Sequence, residues 1–281
     1  MNWRFRYPTD FEDRYGYNNG PRSSPVIDAA RVYTTGAQGQ LHCLELATGK
    51  LIWKHDLQKE YRVAQDFFGT ASTPLIEGQL LVVNVGAPGG PCVVGFDKTT
   101  GREVWRAGKE WGPSYASPVP ATVHGKRRVF VFAGGESEPP SGGLMSIDPS
   151  NGRVDFSFPW RSRSYESVNA SCPVVFDNKV FVSASYRTGG ALIEIRPDFT
   201  HRQLWTTQEF GLHFNTPNPH IDFEKLKLRV PTEVEPSTDI TALVLELERR
   251  GEYPVLWFER VRGSRFPVVT NVFAHRRRYA R

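Results

Sequence analysis

Short stretches in which apolar residues alternate with polar ones, or run together for four to six positions, recur along the first 220 residues: Arg31-Val32-Tyr33-Thr34, Leu80-Leu81-Val82-Val83-Asn84-Val85, Arg128-Val129-Phe130-Val131-Phe132 and Lys179-Val180-Phe181-Val182-Ser183. Alternation with a period of two, or a short apolar run bounded by turn residues, marks strands. An aromatic follows each group at a regular distance: Trp3, Trp53, Trp105, Phe156 and Trp205 lie 50, 52, 51 and 49 residues apart. A phrase repeats with it, as Ala47-Thr48-Gly49-Lys50-Leu51-Ile52-Trp53, Thr99-Thr100-Gly101-Arg102-Glu103-Val104-Trp105 and Pro149-Ser150-Asn151-Gly152-Arg153-Val154-Asp155-Phe156, with glycine four residues before the aromatic. A small residue followed by proline opens each unit in register with that phrase, at Ser24-Pro25, Thr73-Pro74, Ser117-Pro118, Cys172-Pro173 and Thr216-Pro217. A fixed period near 50 residues is the mark of a repeat architecture. Each unit is expected to be four short antiparallel strands, its last hairpin turning on the glycine, and its closing aromatic buried between neighbouring units. The fold class expected is mainly β: a partial β-propeller of about four four-stranded blades forming an open arc. A β-sandwich has no reason to repeat one phrase at one period.

After Asp222 the pattern changes. Ser237, Thr238 or Asp239 can cap a helix whose Ile240, Leu243, Val244 and Leu247 share a face and whose end is marked by Gly251. Strand candidates flank it at Leu226–Val230, Val255–Glu259 and Phe266–Phe273. The expected division is therefore residues 1–221 for the blades and 222–281 for a short α/β segment.

Composition narrows the function classes. The 281 residues are 39% hydrophobic, 12% aromatic and 23% charged, with 25 glycines and 21 prolines, which suits a turn-rich globular β fold. No apolar run reaches the ~18–20 residues of a membrane span, and the opening MNWRFRYPTDFEDRYG has no apolar stretch that could act as a leader. The compartment is thus unknown from the sequence, with export expected only if a longer parent carries a signal. Cys43, Cys92 and Cys172 are far apart and suggest neither a metal site nor a disulfide framework; His213 and His220 fit no zinc spacing, and no metal site is expected. The net charge of +5 is concentrated at the end, where residues 260–281 hold seven arginines and no acid. No nucleic-acid motif accompanies that run, so nucleic acid is not an expected partner.

The four-stranded repeat ending in Phe96-Asp97-Lys98-Thr99-Thr100-Gly101-Arg102-Glu103-Val104-Trp105 resembles the pyrroloquinoline-quinone-type (PQQ-like) propeller repeat of quinoprotein alcohol dehydrogenases and of BamB-like proteins. The segments Asn18–Pro25, Tyr115–Pro118 and Phe158–Arg161 look like BamB-like inter-blade segments. The quinone enzymes imply a cofactor in the central channel beside a disulfide of adjacent cysteines and on a calcium; no two cysteines are adjacent here, so no cofactor is expected, and PQQ with calcium belongs only to the alternative reading. The stretch Pro254–Phe273, with its V-x-G-S-R-F-P-V-V-T-N-V-F core, resembles the N-terminus of UbiD-type prenylated-flavin decarboxylases, whose catalytic residues would lie further along such a chain.

Propeller geometry places the residues just ahead of each small-residue-proline phrase around the axis at one end. These are Arg22, Tyr115, Asn169 and His213, candidate ligand contacts at the channel mouth, or else groups that satisfy buried loop carbonyls. The function expected is a non-catalytic scaffold or binding module, a fragment or a fused reading frame, that meets a protein or small-molecule ligand at the propeller face and self-associates. The alternatives are a PQQ-dependent alcohol dehydrogenase-like oxidoreductase or a remnant of a prenylated-flavin decarboxylase. No catalytic residue is assigned.

Overall fold

The structure is a computed structural model, and it describes residues 3–208, 211 and 212 together with the backbone of residues 232–233, 252–259 and 268–276. The chain divides into two compact units, Met1–Pro219 and His220–Arg281.

The first unit holds four antiparallel sheets of four strands, each a simple meander. They are β1 (Val26–Asp28), β2 (Arg31–Thr35), β3 (Gln40–Glu45) and β4 (Leu51–Asp56); β5 (Leu75–Glu77), β6 (Leu80–Asn84), β7 (Val93–Asp97) and β8 (Glu103–Ala107); β9 (Val119–Val123), β10 (Lys126–Ala133), β11 (Gly143–Ile147) and β12 (Val154–Pro159); and β13 (Val174–Phe176), β14 (Lys179–Ala184), β15 (Gly189–Ile195) and β16 (His201–Thr207). The opening strands β1, β5, β9 and β13 neighbour one another in chain order. These sheets are the blades that the repeat predicts.

Middle strands of the second and third blades are buried on both faces because each of these blades lies between two others. In β6, Leu81 and Val83 join Tyr33, Leu41 and Trp53 of the first blade, whereas Val82 joins Val129 and Val131 of the third. In β10 the same alternation sends Val129 and Val131 backward and Phe130 and Phe132 forward onto Val180 and Val182. A period of two thus survives as a choice of neighbour rather than as inside against outside. Outer strands keep the ordinary pattern: in β4 and β8 the flanking positions are exposed or half-buried, while Trp53 and Trp105 are buried.

The closing aromatic is locked twice. Each blade has a register shift in its last hairpin, beside the residue that the aromatic pairs with: Cys43 with Trp53, Gly95 with Trp105, Ser146 with Phe156 and Leu192 with Trp205. The ring then lies on the turn glycine of the next blade, Trp3 on Gly49, Trp53 on Gly101 and Trp105 on Gly152, at φ of +72, +76 and +77°. Its indole N–H donates to the carbonyl three residues before that glycine: Leu46 (2.7 Å), Lys98 (3.2 Å) and Pro149 (2.9 Å). Glycine is needed for both the left-handed turn and the close approach. At the last interface the device changes. Phe156 lies tilted against His201 with ring centres 4.7 Å apart, and Phe199, at φ 63°, lies under the buried Arg128, whose guanidinium carbon is 3.9 Å from the ring centre.

One helical turn, α1 (Leu57–Tyr61), follows β4, capped by Asp56, whose carboxylate accepts from the Lys59 amide at 3.1 Å. In the second unit β17 (Thr232–Glu233), β18 (Glu252–Glu259) and β19 (Val268–Arg276) form one antiparallel sheet in the order β17-β19-β18. Strands 255–259 and 266–273 of the sequence reading correspond to β18 and β19. The expected helix and the strand at 226–230 lie outside the described residues, as do His213 and His220. Among the described residues no helix is long and apolar enough to cross a membrane.

Candidate functional site

The segments that join the blades converge at one end of the first unit. The segment ahead of β1 is shaped by Asp13, whose carboxylate accepts from the amides of Tyr15 (2.8 Å) and Asn18 (3.3 Å) while Asn19 Oδ1 accepts from the Asp13 amide. This is the local side-chain-to-backbone bonding that acidic and amide side chains favour in turns. The Tyr15 amide holds Asp13 below the usual carboxylate range. Arg22 closes the turn, donating to Asp13 and, at 2.7 Å, to the Asn18 carbonyl. Its guanidinium lies 5.7 Å from the ring centres of Phe11 and Phe68.

Phe68 is the hub. Its amide donates to the Tyr115 hydroxyl at 2.7 Å, and the two rings are 5.8 Å apart. The Tyr115 amide in turn donates to the Asn169 carbonyl at 3.1 Å. Of the four sequence-chosen residues, Arg22 and Tyr115 therefore meet the side chain of Phe68, from the segment between blades 1 and 2, and Asn169 joins them through its carbonyl. Their roles differ. Asn169 is buried and spends its amide on the carbonyls of Ala133 (2.8 Å) and Trp160 (3.0 Å), so it bolts loops together. Tyr115 is half-buried, and burial pushes its phenol up.

Asp66 is a centre that the sequence did not single out. It is 5% exposed, and its Oδ1 accepts from the amides of Phe67 (2.9 Å) and Glu136 (2.7 Å), while Oδ2 has no partner and faces Gly135. Burial pushes its pKa up to about 6, with the Glu136 carboxylate adding to the rise and Arg161 opposing it. Arg161 donates to the carbonyls of Gly135 (2.7 Å) and Ser167. Glu136 is held by Arg14 at 3.1 Å and by the Tyr165 hydroxyl. One signal for Asp66 is present in the sequence: an acid next to two aromatics and a glycine, Asp66-Phe67-Phe68-Gly69, a run that the other inter-blade segments lack.

Asp66 Oδ1 serves two amides and the Asn169 amide nitrogen donates to two carbonyls, while Asp66 Oδ2 and Asn169 Oδ1 are buried without a hydrogen-bond partner and the cationic Arg161 lies near Asp66. Cys43 and Cys92 are buried free thiols. Among the described residues no three His, Cys, Asp or Glu side chains converge as metal ligands. A shallow cleft of about 220 Å³ lined by Gly89, Gly90, Pro91, Arg106, Ala107, Gly108 and Lys109 includes none of the gathered residues.

Comparison with known proteins divides the chain at the same place as its style. The family described as outer membrane protein assembly factor BamB matches residues 2–222. The family described as the 3-octaprenyl-4-hydroxybenzoate carboxy-lyase N-terminal domain matches residues 222–281. The assembly factor BamB of Xanthomonas campestris pv. campestris is 33% identical over 88 residues, 31% of this chain and 21% of that protein. The quinohemoprotein alcohol dehydrogenase ADHIIG of Pseudomonas putida HK5 superposes with a TM-score of 0.51 at 15% identity, covering 74% of this chain and 36% of that one, a likeness of fold alone. BamB of Moraxella catarrhalis superposes at 0.45 with 18% identity over 66% of this chain and 48% of its own. The chain thus spans from about a fifth to about half the length of these relatives.

Proposed function

From the premise that this chain belongs to the family of the outer membrane protein assembly factor BamB, we propose that residues 1–221 are a non-catalytic scaffold or binding module, and residues 222–281 a separate domain. One observation carries the reading. Polar side chains at the axis end tie neighbouring segments together: Asp66 Oδ1 accepts from two amides, Asn169 Nδ2 and Arg161 donate to carbonyls, and Arg22 pairs with Asp13. Groups bound this way fix loops in place, whereas catalysis needs an acid, base or nucleophile free to reach a substrate. The rim around them is aromatic, the composition of a binding surface. The partner is therefore a protein or a small ligand met at this end of the propeller.

Adding pyrroloquinoline quinone and calcium and assaying dye reduction with simple alcohols tests the reading. No turnover is expected, and alcohol-dependent dye reduction would overturn it. The family premise also leads us to assign the chain's work to the outer-membrane side of a cell envelope; recovery of the native protein in the cytosolic fraction alone would reject that assignment. The fused-frame reading of the division near Asp222 is tested by genomic sequence across the codons for residues 215–230, where a frameshift or junction is expected and a continuous frame would reject it.

A further inference from the structure

Asp66 stands where segments from three blades cross. It belongs to the segment between α1 and β5, and its Oδ1 accepts from the amide of Glu136, in the segment that follows β10. A Cβ built on Gly135 would come 1.9 Å from Asp66 Oδ2 and 2.4 Å from the carbonyl oxygen of Pro113, in the segment between β8 and β9. Oδ2 is thus buried without a hydrogen-bond partner, and its neighbour across the glycine is a second acceptor. As a neutral carboxyl, Oδ2 carries a proton that a carbonyl can accept; as a carboxylate, it is a charge shut away from water with no donor on it.

The charged and titratable groups around it come from every segment packed there. The Glu136 carboxylate repels a negative charge on Asp66, and the Arg161 guanidinium attracts one without bonding to Oδ2; its Nη2 donates instead to the Gly135 and Ser167 carbonyls. Tyr115 lies near enough to feel Asp66, and burial keeps its phenol neutral. Arg14 and Tyr165 are engaged with Glu136, and Arg22 with Asp13. Little else clamps the crossing. The apolar cluster beneath it has three buried members, Phe67, Val168 and Ala170, with Phe68 and Tyr115 packed against them, so this end opens at lower cost than the sheets do.

We propose that Asp66 is a proton-operated latch on the axis end: with Oδ2 protonated it holds the Asp66, Pro113 and Glu136 segments together, and with Oδ2 ionised these segments part and uncover the Phe67–Val168–Ala170 cluster. This goes beyond the binding-module reading, because it concerns when the end is closed and not what meets it. The sign follows from the two states. Burial holds the acid at about 6 in the closed end against 3.8 when released, so closure is favoured below about pH 4 and weakens as pH rises to 6. Opening should therefore increase about a hundredfold across that window and level off above it.

The test is hydrogen exchange on the full chain between pH 4 and 7.5, resolved to single residues by mass spectrometry and corrected for the intrinsic pH dependence of amide exchange. The amides of Phe67 and Glu136, both bound to Oδ1, are expected to show the hundredfold rise, while those of Val82 in β6 and Val131 in β10 show none. Asp66→Asn puts an uncharged amide donor where the proton sits and should make the axis-end profile flat. Glu136→Gln removes the repelling charge and should reduce the rise without abolishing it. A flat profile in the parent, a rise shared equally by the middle strands, or a rise that survives Asp66→Asn would overturn the proposal. The parent alone decides the first two, so the test does not depend on either variant folding.

Discussion

Gly101 tests the inter-blade lock more sharply than its tryptophan does. Gly101 lies at φ +76°, and a Cβ built there would come 2.7 Å from Cδ2 of Trp53. Gly125, in the turn between β9 and β10, has nearly the same backbone, φ +73°, with nothing within 4 Å. Alanine at either place carries the cost of a Cβ in the left-handed region, about 1–2 kcal/mol. Only at Gly101 must a packed ring also move. Trp53 is 9% exposed and its indole N–H is fixed on the Lys98 carbonyl, so it cannot swing aside, and overpacking adds about 1–3 kcal/mol. Gly125→Ala should therefore cost about 1 kcal/mol and Gly101→Ala about 3 kcal/mol, read from urea titrations by far-ultraviolet circular dichroism. Trp53→Leu removes the offending ring, so in that background the excess at Gly101 should vanish. Equal costs for the two glycines, or an excess that survives Trp53→Leu, would refute the lock as drawn.

Three other outcomes follow from the same geometry. Trp53→Ala should destabilise by about 3–5 kcal/mol, the range for emptying a buried aromatic site, and Trp205→Ala by less, because Trp205 is only half-buried; calorimetry showing the reverse order would contradict the burial. Arg128→Ala should cost about 3–5 kcal/mol by stranding the carboxylate of Asp155, whose side chain is 1% exposed; a loss under 1 kcal/mol would mean that Arg153 alone neutralises it. Asp66 titrates at about 6 in the folded chain against 3.8 ordinarily, so folding favours its protonated form. Its contribution is full below about pH 4 and is lost as pH rises through 6, on the order of 3 kcal/mol. Asp66→Asn should stabilise the chain relative to the parent increasingly from pH 4 to about 6.5 and by a constant amount above, as seen in Tm against pH; parallel curves would reject the assignment.

The blades were legible because each half of the lock is written locally and repeated. Glycine four residues ahead of the aromatic marks the hairpin, and the same glycine receives the ring of the preceding unit, so one phrase encodes both an intra-blade and an inter-blade contact. Where the phrase fades, legibility fades with it. Arg196-Pro197-Asp198-Phe199-Thr200 closes the turn of blade 4 with Phe199 in the left-handed region, and nothing in the residue type announces that the ring will lie under Arg128. The α1 turn was missed for a different reason, since five residues are too few to show a helical period. At the axis end, register alone led to Arg22, Tyr115 and Asn169. It could not lead to Asp66, Glu136 or Arg161, which lie away from the small-residue-proline phrase that sets the register. Nor could it separate Asn169, spent on buried carbonyls, from Arg22 and Tyr115 beside exposed rings.

That contrast bears on where function can reside in such a chain. A middle-strand residue such as Val82 or Phe130 packs against a neighbouring blade, so any change in it must be matched across an interface. Repetition therefore constrains the sheets as a set. The inter-blade segments are under no such constraint: the Asp13 turn, the Asp66–Phe68 stretch and the Glu136 and Tyr165 loops touch mainly one another, and each differs in length and composition from its counterparts. Acidic, aromatic residues placed there cost the propeller little, whereas a buried carboxylate such as Asp66, titrating near 6, costs it stability at neutral pH. A fold that keeps such a group while its periodic core needs none is spending stability to hold those particular loops together, and what the loops present to solvent is the tyrosine rim.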